Sequence, residues 1–266
     1  MQKLGLMGVL LGGLFLMATA NTHAQDTEIP PILQGVKRIV MLGDSITEGG
    51  EGRGGYVWLI RAYLKELYPS ANIEVVNAGI SGHKSNDMLA RYRKDVLDKK
   101  PDLITISVGV NDVWHGYYDF ANNREIPDGN GENGIKLDAY TQNVEEMITQ
   151  GKAAGAKIVV LSTTVIYEDA QSKPNKATAS YNASLKRLAR NHGQTFVDFQ
   201  KPFQKVIAAY RETTGARDNL LTTDGVHMNA AGNKVMAYTV LQGFGISAED
   251  REAVRGKVEE MQRSAK

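Results

Sequence analysis

The sequence predicts an α/β fold: a three-layer, doubly wound domain around a central sheet of five parallel strands. Two observations carry this. Short runs rich in Val, Ile and Leu alternate along the chain with amphipathic helical stretches. The runs are continuously apolar, as in strands buried on both faces, which requires a parallel sheet covered by helices. Right-handed crossovers then bring the C-terminal end of every strand to one edge, where ligands of such sheets bind.

The first strand is expected at residues 37–43 (KRIVMLG), followed by a helix at 55–67 that Pro69 stops. A second strand is expected at 72–77 (NIEVVN). The next helix, 85–99, puts Met88, Leu89, Tyr92, Val96 and Leu97 on one face. The third strand is 102–108 (DLITISV). Residues 114–136 are polar, rich in Gly and Asn and without periodicity, so they read as a long loop. Then come a helix at 138–154, a strand at 156–162 (AKIVVLS), a helix at 175–191, a strand at 195–199 and a helix at 202–211. Two more helices are expected near 230–242 and 248–262. No internal repeat or second-domain linker is evident.

Before the first strand lies a different kind of segment. Lys3 is followed by the uncharged run 4–17 (LGLMGVLLGGLFLM) and then by Ala18-Thr19-Ala20 and Thr22-His23-Ala24. A basic start, a short apolar core and an A-x-A-like end read as a secretory signal peptide, residues 1–24, leaving one domain over 25–266. A membrane anchor needs about 20 apolar residues; this run is shorter and holds four glycines. The expectation is an exported protein, periplasmic or extracellular, without stable membrane insertion.

Composition narrows the function. The chain has 266 residues, 42% hydrophobic and 23% charged, with 31 Lys+Arg against 30 Asp+Glu. That is a globular composition without the basic face that nucleic-acid binding needs. Cysteine is absent, which removes disulfides, thiolate nucleophiles and Cys-based zinc sites. No cluster of the remaining ligand types has convincing metal spacing.

Four polar blocks fall where a parallel sheet presents its ligands. They are Gly43-Asp44-Ser45-Ile46-Thr47 after the first strand, Asn77-Ala78-Gly79-Ile80-Ser81-Gly82 after the second and Gly109-Val110-Asn111-Asp112 after the third. Asp224-Gly225-Val226-His227 follows the last strand and its helix. A serine hydroxyl is a weak nucleophile until a base, usually a carboxylate-oriented histidine, takes its proton. Asp224 and His227 can share one loop, with the carboxylate on Nδ1–H and Nε2 facing Ser45. An acyl-transfer oxyanion also needs donors; the Gly79 N–H, the Asn111 amide and the Ser45 N–H are suited to that task.

These four blocks, in this order, resemble the SGNH hydrolase superfamily of GDSL-type esterases and lipases, over roughly residues 38–241. The resemblance implies a flavodoxin-like α/β/α fold and carboxylic ester hydrolysis through Ser45, His227 and Asp224. It also implies an oxyanion hole from Ser45, Gly79 and Asn111, and no cofactor. Ile46 stands where the GDSL name has leucine, as in carbohydrate-acting members. Met228 stands where many members have proline.

Other residues have plainer readings. Asp44 and Asp112 are expected to hold turns through nearby N–H groups. His192, at a helix end before Gly193, reads as a surface residue. Gly50-Glu51-Gly52-Arg53-Gly54-Gly55 satisfies G-x-G-x-x-G, but it does not directly follow its strand, which argues against dinucleotide binding. There is no G-x-S-x-G elbow.

For the substrate, residues 114–134 (WHGYYDFANNREIPDGNGENG) follow the Asn111 block and should overhang the site. Trp114, His115, Tyr117 and Tyr118, with His83, are the expected substrate contacts. Aromatics among hydrogen-bonding groups suit a sugar ring, whereas a long acyl chain wants an apolar groove; alternatively these aromatics simply pack the loop. The expected substrate is a small-molecule or polysaccharide ester, with O-acetyl groups on carbohydrate favoured. A lysophospholipase, thioesterase or arylesterase would use the same triad, and a catalytically inactive glycan-binding module is the remaining alternative.

Overall fold

The computed structural model describes residues 28–264; the expected signal peptide, with His23, lies outside them. Seven strands and nine helices follow one another among the described residues: β1 (Arg38–Gly43), α1 (Ser45–Gly49), α2 (Tyr56–Leu67), β2 (Glu74–Gly79), α3 (Ser85–Asp95), β3 (Leu103–Ser107) and α4 (Val110–Tyr117). A two-stranded hairpin follows, β4 (Tyr118–Asp119) and β5 (Arg124–Glu125). The chain continues through α5 (Leu137–Ala153), β6 (Lys157–Leu161), α6 (Lys173–Asn191), β7 (Thr195–Val197), α7 (Gln200–Thr214), α8 (Ala230–Gly243) and α9 (Ala248–Arg263).

The main sheet has five parallel strands in the order β2-β1-β3-β6-β7. The three-layer α/β expectation is therefore met, in the flavodoxin-like order. Because side chains alternate across a strand, each strand feeds two cores. Ile39, Met41, Leu103, Val159 and Leu161 belong to one, packed with Tyr56, Ile60 and Tyr63 of α2 and Met236, Val240 and Leu241 of α8. Val40, Leu42, Ile104, Ile106, Ile158 and Val160 belong to the other, with Met88 and Tyr92 of α3, Val144 and Ile148 of α5 and Leu185 of α6. Each fully buried aliphatic side chain contributes about 1.5–3 kcal/mol.

β1 lies inside the sheet, with β2 on one side and β3 on the other. The winding direction reverses between β1 and β3, and a crevice opens at the carboxyl ends of strands at such a point. Ser45 follows β1 and Asn111 follows β3, so the topology itself brings two of the four blocks together.

Three of the differences from expectation are informative. β2 runs from Glu74 to Gly79, two residues later than expected, because it pairs with β1 residue for residue from Arg38↔Glu74 to Gly43↔Gly79. The helix expected at 85–99 ends at Asp95 and gives way to the 3₁₀ turn Leu97–Lys99. The loop expected from residue 114 begins inside α4. Val110, Val113, Trp114 and Tyr117 have the i, i+3, i+4, i+7 spacing of a helix face. Taking Gly109-Val110-Asn111-Asp112 as a separate block hid that period.

Candidate active site

Asp44 turns the chain from β1 into α1. Its carboxylate accepts the Ile46 N–H at 3.0 Å, as an N-cap. Ser45 is thus the first residue of a short helix rather than part of a plain turn, and its N–H has no partner among the described residues. Burial pushes the Asp44 carboxyl up to about 6, against the lowering effects of the Ile46 N–H and of nearby His227. A hydrogen bond of 2.8 Å between Thr47 Oγ1 and Tyr56 Oη, both buried, fixes α1 against α2.

His227 reaches Ser45 from the loop before α8, with Nε2 2.8 Å from Ser45 Oγ. Nδ1 is 2.6 Å from Asp224 Oδ2. A carboxylate can only accept here, so Nδ1 carries the hydrogen and Nε2 is left as the acceptor for the serine hydroxyl. Asp224 Oδ1 also accepts the N–H of Val226 at 2.9 Å and of His227 at 2.8 Å. Partial burial raises the Asp224 carboxyl, but the bonds from the His227 ring and the two N–H groups outweigh it and hold Asp224 below the usual carboxylate range. The His227 and Asp224 side chains are 40% and 49% exposed, so the cleft is open to bulky substrates.

The loop carrying this pair is held by a residue the sequence reading missed. Glu168, 3% exposed, accepts the N–H groups of Leu220, Leu221 and Thr222 and the Thr222 hydroxyl, all within 2.7–2.8 Å. Beyond this clamp, Thr222 bridges to Met228, and the Thr223 N–H donates to the His227 carbonyl at 2.8 Å. The available signal was its position after β6, at the same sheet edge as the recognised blocks.

The anion-stabilising set needs one correction. Gly79 N–H donates to Asn77 Oδ1 at 2.8 Å, so it is not a free donor. Its lack of a side chain is explained instead by the Thr47–Glu48 backbone packed against its Cα. Asn77 Nδ2 donates to the Thr47 carbonyl at 2.6 Å, tying α1 to β2. The second glycine of the same block was the signal missed. Gly82 has φ +77° in an open turn, and its N–H has no partner among the described residues. Its neighbours are fixed on both sides. Ser81 N–H donates to Glu48 Oε2 at 2.9 Å, and the His83 carbonyl accepts Asn111 Nδ2 at 3.0 Å. That bond engages one of the two amide hydrogens of Asn111, which is 4% exposed. Asp112, also buried, accepts the Ser85 N–H at 3.0 Å, and burial pushes its carboxyl up to about 6.

The expected substrate contacts separate into two groups. The Trp114 ring lies 6.4 Å from that of His227, at 67°. Its indole N–H donates to Tyr167 Oη at 3.1 Å. Tyr167 is a further missed residue; it has φ +59°, and its N–H donates to the Gly225 carbonyl of the His227 loop at 2.7 Å. His115 packs on Phe120 with ring centroids 4.9 Å apart. The other three serve the loops. His83 Nδ1 accepts from Arg91 Nε at 3.0 Å, and burial together with the Arg91 charge lowers its pKa. Arg91 also donates to the Gly43 carbonyl at 3.0 Å, which joins this loop to β1. Tyr117 packs against the Gly129 turn, and Tyr118 bonds Asn123. His192, as expected, is a helix-end residue, 3.1 Å from Glu145.

Comparison with known proteins shows the family. Residues 41–235 match the model of the GDSL-like Lipase/Acylhydrolase family. An acetylxylan esterase of Geobacillus stearothermophilus is 30% identical over 220 residues, 79% of this chain and 94% of the relative. The crystal structure of an acetylxylan esterase from that organism, Axe2, superposes with a TM-score of 0.66 at 29% identity, covering 79% of this chain and 95% of the other. Catalytic mutants of Axe2 replace a serine, a histidine and an aspartate, the last two three positions apart. LAE5, an alpha/beta hydrolase enzyme from the metagenome of Lake Arreo, superposes with a TM-score of 0.67 at 26% identity, over 79% of this chain and 95% of the other.

Proposed function

Because this chain belongs to the GDSL-like lipase/acylhydrolase family, within the SGNH hydrolases, and is a carboxylic ester hydrolase, we propose that it is an exported serine esterase that removes O-acetyl groups from carbohydrate. The observation that carries this is the unbroken relay from Ser45 Oγ through the His227 ring to Asp224, at 2.8 and 2.6 Å.

The relay defines the reaction. Ser45 Oγ attacks the ester carbonyl while its proton passes to His227 Nε2. Asp224 stabilises the imidazolium through Nδ1–H. The charge that develops on the carbonyl oxygen is met by the Ser45 and Gly82 N–H groups and by the amide of Asn111. Collapse of this intermediate expels the sugar alkoxide, which takes the proton from His227, and leaves acetyl on Ser45. A water then attacks, its proton again going to His227, and acetate leaves with Ser45 Oγ reprotonated.

Support for a carbohydrate comes from Trp114 beside His227, from the half-exposed relay and from the acetylxylan esterase relative. Export rests on the signal-like residues 1–24 and is tested by the N-terminal sequence of secreted protein, which should begin near residue 25. Substrate is tested by comparing acetate released from acetylated xylan or pectin with fatty acid released from lysophospholipid, alongside p-nitrophenyl esters of rising chain length. Preference for the polysaccharides and for the shortest ester is expected. Preference for the lipid and longer esters overturns the carbohydrate assignment and favours the lysophospholipase alternative.

A further inference from the structure

On the far side of Trp114 from His227, α4 and the β4–β5 hairpin with its following loop form a cavity of about 550 Å³. His115, Asp119, Arg124, Asn130, Glu132 and Asn133 line it; Ile126 and Pro127 add apolar surface. The volume is that of a small-molecule site. We infer that this cavity is a second carbohydrate subsite, which holds a sugar residue of the same chain whose acetylated residue lies at Ser45. The inference rests on the carbohydrate reading above and goes beyond it, since it makes the enzyme selective for oligomers over single sugars.

Three observations carry it. First, aromatic rings connect the two places. Trp114 lies 6.4 Å from His227 on one side and 6.5 Å from His115 on the other. Phe120 caps this row, 4.7 Å from Trp114 and 4.9 Å from His115, and is 47% exposed. Phe120 is outside the cavity lining but packs on His115, which is part of it, so it offers an exposed apolar face to a sugar ring whose hydroxyls find partners in the cavity.

Second, the lining is mixed. Carboxylates, a guanidinium, amides and an imidazole supply both donors and acceptors. Arg124 sits 3.7 Å from Asp119, so the one cationic side chain of the lining is paired and no concentrated positive field attracts an anion. Burial and nearby Lys84 lower the pKa of His115, which favours the neutral ring, with one nitrogen to donate and one to accept. A long acyl chain would leave the charged and amide groups of this lining without partners.

Third, the walls are already fixed. Gly131 N–H bonds the Gly116 carbonyl at 2.9 Å, and Ile126 N–H bonds that of Tyr117 at 2.8 Å. Lys84 Nζ holds the Asn133 carbonyl and Lys173 Nζ the Pro127 carbonyl, each at 2.9 Å. A preformed polar cavity binds without first having to order its loops.

The test measures kcat/KM for acetate release from acetylated xylose and from acetylated xylo-oligosaccharides of increasing length, in wild type, Phe120→Ala and Asn133→Ala. The quantity read is the ratio of oligomer to monomer, which a general loss of folded enzyme does not change. Remote binding energy should raise kcat/KM for the oligomers about tenfold or more in wild type. Both variants should reduce that ratio several-fold. Equal kcat/KM for monomer and oligomers, or variants that keep the wild-type ratio, overturns the subsite and leaves the carbohydrate esterase standing. Cleavage of p-nitrophenyl acetate with no acetate from any sugar ester overturns both.

Discussion

Ser45 and His227 stand 182 positions apart in the chain, and their side chains meet at 2.8 Å. The parallel sheet brings Ser45 to its carboxyl edge, and the Glu168 clamp steadies the loop that delivers His227. Each end of that contact has a measurable consequence.

Replacing Ser45 by Ala removes the proposed nucleophile and leaves the fold, since Ser45 Oγ bonds only the His227 ring among the described residues. Hydrolysis of p-nitrophenyl acetate should fall about 10³-fold or more. A folded variant with near-normal turnover would contradict nucleophilic attack by Ser45.

Asn111→Ala removes an amide donor and the tether to the His83 carbonyl. The expected effect is a loss of about 10²–10³ in kcat, the usual consequence of deleting one oxyanion donor. Steady-state kinetics separates this from substrate binding: a change confined to KM would reassign Asn111.

Glu168→Ala leaves three buried or half-buried N–H groups and a hydroxyl without their acceptor. A cost of about 3 kcal/mol or more in unfolding free energy is expected, because each orphaned donor is expensive. Glu168→Gln, which keeps one acceptor oxygen, should lie between the variant and wild type. Urea denaturation checks both, and wild-type stability in the alanine variant would show the clamp to be dispensable.

Asp112 gives a pH dependence with a definite sign. Burial raises its folded value to about 6, above an unfolded value of 3.8. The folded state therefore holds this proton more tightly, and its contribution to stability is fully present at acid pH. It is lost as pH rises from about 4 to about 6, by about 3 kcal/mol. Asp112→Asn cannot titrate, so its stability relative to wild type should improve between pH 4 and pH 7. Parallel stability curves for the two proteins across that range would rule out a titrating Asp112.

Much of this molecule was legible along the chain. The apolar runs and their spacing specified a parallel sheet, because only strands buried on both faces can be so uniformly apolar. The order of the blocks named Ser45, Asn111, Asp224 and His227, since each block lies at a strand end or in the last loop. Reading by blocks failed where a period crossed a block boundary, as in α4. It also failed where a strand's limits depend on its partner, as in β2.

Sequence alone determined most element types, the alternation of strands and helices and the chemistry available at one sheet edge, which follow from local periodicity and connection rules. Tertiary structure alone decided which groups are free to act. Gly79 and Gly82 are alike in sequence, but the Asn77 side chain takes the N–H of the first and leaves the second open. Glu168 became visible only through the distant N–H groups it accepts, and Tyr167 only through its bonds to Trp114 and to the Gly225 carbonyl. The physical reason is that hydrogen-bond partners and ring contacts are matters of a few ångströms between segments far apart in the chain, and no local pattern encodes them.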